Sequence, residues 1–249
     1  MDGPELAGLK ASHTAAAIAA RLAARASRGY LRDLVYGAVD GIVTTFAVVA
    51  GVYGAELPPA VVLILGTANL LGDGFSMAIG NFLATRSERE LRERARRTEL
   101  AHIEAVPEGE REEVRQLLAR KGFEGSNLER AVAVLTSDRA RWVETMLVEE
   151  LGFPVNDASP WRAGAATFAA FVGAGALPLL PFAGAYGGLP LAPFPWSASL
   201  TAAAFFAVGA LKARFVARSF VRAGLETAAV GGAAAAAAFA AARLLRGLA

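Results

Sequence analysis

Residues 34–53 read LVYGAVDGIVTTFAVVAGVY, an apolar stretch with one carboxylate, Asp40, inside it. About 20 consecutive apolar residues are enough for a helix to cross a bilayer. A carboxylate at bilayer depth costs roughly 2.5–3.5 kcal/mol on insertion scales unless it is paired, hydrated or bound to a cation. The stretch therefore predicts a membrane span, and Asp40 is a candidate residue on an ion or proton path.

The next apolar run, residues 59–83, contains a second carboxylate, Asp73. Asn69, Asp73 and Met77 are spaced four residues apart and therefore share one face of a helix, which Asn81 extends. An amide, a carboxylate and a thioether in one stripe are uncommon in an apolar core. The pattern favours a cation path lined by Asp40, Asn69, Asp73 and Met77. The alternatives are a structural ion pair or hydrogen bond for the carboxylates and simple packing for Met77.

Composition extends this interpretation to the whole chain of 249 residues. It is 55% hydrophobic, and its mean hydropathy of +0.41 is too apolar for an ordinary soluble domain. We expect an all-α polytopic membrane protein with five transmembrane helices and a three-helix cytoplasmic insert. The spans are predicted at residues 34–57, 60–85, 161–182, 196–216 and 225–245. The predicted organisation is an N-terminal segment (1–33), spans 1 and 2 (34–85), the insert (86–155) and spans 3 to 5 (156–249).

Charged residues set the expected orientation. Lys and Arg precede span 1, follow span 2 and lie between spans 4 and 5, whereas residues 54–59 and 183–195 contain neither. The positive-inside rule then places the N-terminus and the insert in the cytoplasm. Residues 13–30 are expected to form an Arg-bearing amphipathic helix on the membrane surface. Arg243 and Arg246 depart from the rule, because five spans place the C-terminus outside.

The cysteine content, the placement of basic residues and the composition limit the classes of function and the location of the protein. The chain has no cysteine, which excludes disulfides and thiolate metal sites. Its basic residues flank the membrane spans, so the net charge of +2 does not indicate a nucleic-acid partner. The Ala- and Arg-rich composition suggests a bacterial source, and hence an integral protein of the plasma membrane.

The polar insert holds the second group of candidate residues. Residues 86–153 carry 15 acidic and 13 basic side chains, and we predict helices at residues 86–105, 107–121 and 126–151. Carboxylates and an imidazole suit divalent metals, and a thioether adds preference for ions such as Fe²⁺. The alternative is a solvated, salt-bridged face. The candidate metal ligands are Glu99, His102, Glu110, Glu113, Met146 and Glu150.

Several of these segments together resemble one family. The first two spans resemble the signatures of the vacuolar iron transporter family, and further segments resemble its metal-binding insert and the link into its last span. We identify the chain as a bacterial-type member on this basis. The segments are Arg32–Thr45, Gly72–Ala84, Pro107–Glu110, Met146–Gly152, Gly209–Lys212 and Gly224–Glu226.

The resemblance implies a transporter and not an enzyme, and it implies that the protein works as a homodimer. By the same resemblance, the metal path lies between the two subunits. It exports Fe²⁺, with Mn²⁺ as a second cargo, in exchange for protons. The resemblance assigns Asp40 and Met77 to the path and all six candidate ligands to the insert. His102 and Asn69 stand where members commonly have glutamate. His102 still offers a ligand and makes binding more pH-sensitive. Asn69 removes one carboxylate from the path.

Three functions therefore compete. The first is a proton-coupled divalent-metal exporter residing in a lipid bilayer. The second is a membrane-anchored metal-binding or sensor protein without coupled transport, and the third is a structural protein whose acidic insert docks a partner. Carboxylates at bilayer depth favour the first, because the other two do not need them. Zn²⁺ serves as a redox-stable surrogate for Fe²⁺ in binding experiments.

Overall fold

The structure, a computed structural model, describes residues 3–23, 30–155, 158–216 and 219–246, and all regular structure in these ranges is helical. The helices are α1 (Gly3–Ser12), α2 (Ala15–Ala23), α3 (Leu31–Gly54), α4 (Pro59–Ala105), α5 (Pro107–Arg120), α6 (Gly125–Thr136), α7 (Arg139–Thr145), α8 (Pro160–Gly175), α9 (Leu180–Tyr186), α10 (Pro193–Val216) and α11 (Phe220–Arg246). A π-helical turn, Met146–Glu150, follows α7, and a 3₁₀ turn, Leu177–Leu179, follows α8.

Five helical stretches are long and apolar enough to cross a membrane, which confirms the predicted all-α fold with five spans. They are Leu31–Gly54, Pro59–Ala105, Pro160–Tyr186, Pro193–Ala213 and Phe220–Arg246. The third stretch changes from α-helix to a 3₁₀ turn near its end, where Pro178 and Pro181 lack the amide hydrogen that a regular helix requires. The chain divides into two compact units, a membrane unit (residues 1–82 and 160–249) and an insert unit (residues 83–159).

Helix α3 is the centre of the membrane unit and packs against α8, α10 and α11. Its approach to α8 is closest at two glycines. A Cβ added to Gly37 would lie 2.5 Å from the carbonyl oxygen of Thr167, and one added to Gly41 would lie 2.3 Å from that of Phe171. Only glycine permits this backbone contact. Because Asp40 lies beside Gly41, the contact fixes where the Asp40 backbone sits.

Helix α4 is continuous over 47 residues, as the sequence predicts from the absence of a helix breaker before Pro107. The loop before it contains Glu56, which has a left-handed backbone conformation with a φ of 56°. Glu56 forms an ion pair with Arg246 at the end of α11. One of the two C-terminal arginines that depart from the positive-inside rule is therefore paired with a carboxylate.

The insert unit has its own hydrophobic core, to which α4 to α7 and the π-helical turn contribute. The prediction of one helix over residues 126–151 is wrong, because helix α6 ends at Thr136 and a new helix, α7, begins at Arg139. Asp138 has an extended backbone and caps a new helix by accepting a hydrogen bond from the Arg141 amide at 2.8 Å. Aspartate favours this capping position over a helix interior. The insert therefore has four α-helical segments instead of three.

The predicted N-terminal surface helix is only partly described. Helix α2 covers Ala15–Ala23 within the predicted range, and α1 precedes it. The predicted residues 24–29 lie outside the described part of the chain.

Candidate metal centre and membrane path

The candidate metal centre begins at the corner between α4 and α5. A single residue, Val106, separates the two helices. Its amide donates to the His102 carbonyl oxygen at 2.8 Å, which closes α4, and Pro107 then opens α5. Proline suits this first helical position because its φ angle is already helical and its missing amide hydrogen is not needed there. The corner brings Glu110, in the first turn of α5, back beside the last turns of α4.

Three candidate ligands meet at this corner. One ligand atom each of Glu99, His102 and Glu110 lies within 4.8 Å of the others, and the distance between His102 Nδ1 and Glu110 Oε1 is 3.3 Å. Glu99 and Glu110 are only 5% and 3% exposed, whereas His102 is exposed. The Oε2 atoms of both glutamates are buried without a hydrogen-bond partner. Buried carboxylate oxygens without partners are costly, and a bound cation would remove that cost.

The electrostatics of the cluster agree with its geometry. Burial, followed by repulsion from Glu113 and Glu99, raises the pKa of Glu110 to about 7. Burial also raises the pKa of Glu99 and of Glu150, and Glu113 adds to both increases. Each of these shifts means that the local environment disfavours negative charge in the absence of a cation.

The structure separates the two adjacent glutamates of the π-helical turn. Glu149 forms an ion pair with Lys121 at 2.6 Å. Glu150 instead interacts electrostatically with Glu113, Glu99 and His102. Glu113 and Glu150 therefore extend the cluster as exposed carboxylates, and the sequence alone does not distinguish Glu150 from its neighbour.

Met146 lies in a different environment from the other predicted ligands. Its side chain is fully buried and belongs to the hydrophobic core of the insert unit. The π-helical turn begins at this residue, and such turns frequently occur at functional sites. Whether its sulfur ligates a metal stays a prediction.

The Lys and Arg side chains of the insert that form ion pairs pair with carboxylates outside the cluster; they are Arg86, Arg92, Arg111, Arg115, Lys121 and Arg139. This partition weakens the interpretation of the cluster as a solvated, salt-bridged face, which the sequence left open. In the described part of the insert, the Lys and Arg ion pairs involve Glu90, Glu104, Glu108, Glu112, Glu129, Glu144 and Glu149.

The predicted path residues lie on α3 and α4 in the membrane unit. Asp40 is half-buried, and Asp73 is close enough for the two carboxylates to repel each other. Asp73 itself is exposed on the surface of the chain. The side-chain nitrogen of Asn69 is buried without a hydrogen-bond partner, and Met77 is half-buried against the core. Among these residues, Asn69 thus lacks the hydrogen-bond partner that a purely structural role would supply for its amide nitrogen.

One polar contact in the membrane unit was only partly anticipated. Asn81, which extends the stripe on α4, donates hydrogen bonds to Asp33 on α3 and to Thr167 on α8. The available signal was the seven-residue spacing of Asp33 and Asp40, which places both on one face of α3.

These features define a class of protein: a five-span α-helical integral membrane protein whose second span continues into an acidic helical insert. Within that class the chain belongs to the VIT family, whose model matches residues 31–243. The family that the sequence motifs indicate is therefore confirmed.

Named relatives cover most of the chain. It is 35% identical over 219 residues to vacuolar iron transporter 1 of Arabidopsis thaliana, covering 87% of this chain and 86% of that protein. It is 33% identical over 222 residues to vacuolar iron transporter 2 of Oryza sativa subsp. japonica, covering 88% of each. A vacuolar iron transporter of Toxoplasma gondii is 31% identical over 228 residues, covering 88% of this chain and 76% of that protein.

Proposed function

We propose that this protein is a proton-coupled exporter of divalent transition metal from the cytosol, with Fe²⁺ as the principal cargo and Mn²⁺ as a second. It resides in the plasma membrane with its N-terminus and insert in the cytoplasm. The observation that carries the proposal is the cluster of Glu99, His102 and Glu110, with its two buried, unpartnered carboxylate oxygens. The names of the relatives supply the choice of iron.

The insert captures the metal. Carboxylate oxygens and an imidazole nitrogen are good ligands for borderline divalent ions, and the cluster offers one atom from each of three side chains. Glu113 and Glu150 provide further negative charge beside it. Met146, if its sulfur turns toward the ion, adds a soft ligand that favours Fe²⁺ over Mg²⁺.

The membrane path moves the metal. Asp40, Asp73 and Met77 supply two carboxylates and a thioether, and Asn69 supplies an amide. A proton and a metal ion cannot occupy the same carboxylate oxygens, so protonation of Asp40 from the far side of the membrane releases the metal there. This competition is the physical basis of exchange.

Metal capture should weaken as pH falls through about 7, because the pKa of Glu110 is raised to about 7 from its ordinary value of 4.5. Below that pH the proton holds the carboxylate in its neutral form and competes with the ion. We expect Zn²⁺ affinity, measured by calorimetry on the full chain in detergent, to fall between about pH 8 and about pH 6.

Two variants identify the titrating group. In His102→Gln the pH dependence should persist, since Glu110 remains. In Glu110→Gln the affinity should be lower, and its pH dependence should be shallower than that of the parent over the same range, because Glu110 no longer titrates. All measurements carry Asp40→Asn, so that the membrane path does not contribute. A steep pH dependence that survives Glu110→Gln would contradict the assignment.

The working unit is proposed to be a homodimer in which α4 meets its copy. Asp73 is exposed on α4, and a carboxylate facing lipid is costly. The same helix exposes Leu71 and Phe75, and a Cβ added to Gly72 would meet nothing within 4 Å. A second protomer would cover this face and turn Asp73 toward a shared, hydrated path.

Cross-linking tests the homodimer. Because the chain has no cysteine, Phe75→Cys introduces a single thiol on the exposed face of α4, where Phe75 is 61% exposed. We expect oxidation in membranes to give a disulfide-linked dimer. The matched control, Leu211→Cys on α10, should stay monomeric. Cross-linking at position 211 but not at position 75 would place the interface elsewhere.

The runner-up function is a membrane-anchored metal-binding or sensor protein. The compactness of the insert unit, with its own core and acidic cluster, is compatible with it. Metal flux decides between the two. Purified protein in proteoliposomes should carry Fe²⁺, under anaerobic conditions, at rates well above protein-free vesicles. Zn²⁺ binding without any flux of Fe²⁺ or Mn²⁺ would favour the sensor.

A further inference from the structure

Asn81 connects three helices of the membrane unit. Its side-chain nitrogen donates to Asp33 Oδ1 on α3 at 3.0 Å and to Thr167 Oγ1 on α8 at 2.7 Å, with the Ala163 carbonyl oxygen at 3.3 Å. Thr167 is fully buried, and its own hydroxyl donates to Ala163 at 3.0 Å. The threonine oxygen is therefore oriented to accept from Asn81. We call Asp33, Asn81 and Thr167 the polar clamp.

The clamp lies where α4 rests directly on α8. A Cβ added to Gly164 on α8 would lie 2.9 Å from the Ala78 carbonyl oxygen, and the rings of Phe82 and Trp161 have centroids 4.7 Å apart. Apolar contacts of this kind hold two helices together but tolerate rotation and sliding. Hydrogen bonds are directional, so the clamp fixes the rotation and register of α4.

The rotation of α4 also sets the direction of a proposed path residue, Met77. Met77 lies one turn before Asn81 on the same face of α4. Asp40 lies two turns beyond Asp33 on α3. A helix is stiff over one or two turns, so fixing Asn81 against Asp33 also fixes the direction of the Met77 side chain relative to α3.

We propose that Asn81 is a positioning residue for metal translocation, acting through Met77, and that Asp33 serves it as a hydrogen-bond acceptor. This inference rests on the proposed function, because it concerns the path that the function requires. The proposal gives different roles to the two carboxylates of α3. Asp40 is needed for its charge, whereas Asp33 is needed for an oxygen that accepts from an amide.

Isosteric substitutions distinguish those roles. Asp33→Asn keeps a carbonyl oxygen that can accept from Asn81, and should retain most of the metal flux. Asp33→Ala removes the acceptor and should lower flux about tenfold. If Asp33→Asn stops flux while the protein stays folded, the charge of Asp33 is required and the positioning role is wrong.

A double-substitution cycle tests whether Asn81 acts through Met77. We expect Asn81→Ala and Met77→Ala each to lower Fe²⁺ flux about tenfold, and the double variant to lose little more than either single one. A loss of about a hundredfold in the double variant would show independent roles and overturn the proposal. Should Asn81→Ala fail to fold, Thr167→Val removes the second acceptor with almost no change of shape and replaces it in the cycle.

A second readout does not depend on transport. Met77→Cys introduces one thiol into a chain without cysteines, and a water-soluble maleimide reports its exposure. Combining it with Asn81→Ala or Thr167→Val should raise the labelling rate by roughly threefold or more, because α4 loosens. The control is Ser199→Ala, which removes a hydroxyl bonded only within its own helix.

The labelling result stands whether or not the protein transports metal. Absence of flux in the parent protein would reject the proposed function and leave the clamp to be judged by labelling alone. An unchanged labelling rate in Asn81→Ala would reject the clamp in a protein that still transports.

Discussion

Replacing Asp40 with asparagine is expected to reduce metal flux to the level of protein-free vesicles while leaving the protein folded. Asparagine has nearly the same shape as aspartate but cannot exchange a proton for a metal ion. Folding should survive, because the substitution removes a charge that is costly at bilayer depth. The backbone contact is also retained, since Thr44 Oγ1 donates to the Asp40 carbonyl oxygen at 2.9 Å.

The matched control is Glu56→Gln, another carboxylate-to-amide change in the membrane unit. Glu56 is exposed and paired with Arg246, and an exposed ion pair contributes little to stability. We expect its flux to equal that of the parent. Both variants should elute from size exclusion at the parent position. Normal flux in a folded Asp40→Asn variant would remove Asp40 from the mechanism.

The second large effect is expected in the insert. Glu99→Gln combined with Glu110→Gln should weaken Zn²⁺ binding at least about 100-fold, since loss of even a supporting residue of a metal site costs about 10- to 100-fold. The same change should leave the metal-free protein equally stable or more stable. It neutralises two buried carboxylates whose Oε2 atoms have no hydrogen-bond partner.

The control for this pair is Glu108→Gln combined with Glu112→Gln. Both residues lie on α5 beside the cluster, are exposed, and pair with Arg111 and Arg115. Their replacement also changes two carboxylates of the insert to amides, and it should leave Zn²⁺ affinity nearly unchanged. Equal losses in the two double variants would mean that general negative charge binds the ion, and the specific centre would be rejected.

The sequence predicts the membrane spans well because their signal is local. Apolar runs of sufficient length and the absence of a helix breaker before Pro107 determine α4 without reference to other parts of the chain. The break at Asp138 was missed because the apolar pattern of the third insert helix continues across it. The Asp138 side chain can hydrogen-bond to a nearby backbone amide, and this bond competes with a continuous helix. Tertiary packing decides which of the two forms.

For the candidate metal site too, the sequence predicts the local arrangement but not the contacts between helices. Spacing correctly places Glu99 with His102, and Glu110 with Glu113, each on one helix face. Spacing cannot show that the turn at Val106 brings Glu110 close to His102. It also cannot show that Glu149 pairs with Lys121, whereas Glu150 lies beside the cluster. The raised pKa of Glu110 depends on burial, so it also follows only from the fold. The sequence assigns pH sensitivity to His102 alone.

The most direct test of the account is Fe²⁺ uptake by proteoliposomes in which only the pH gradient is varied. Vesicles contain a pH-sensitive dye and are diluted, without oxygen, into buffer with Fe²⁺. The account predicts that an acidic lumen accelerates uptake and that the lumen becomes more alkaline as iron enters, in the parent but not in Asp40→Asn. Iron uptake that is unaffected by the gradient and leaves the lumenal pH constant would contradict proton-coupled transport.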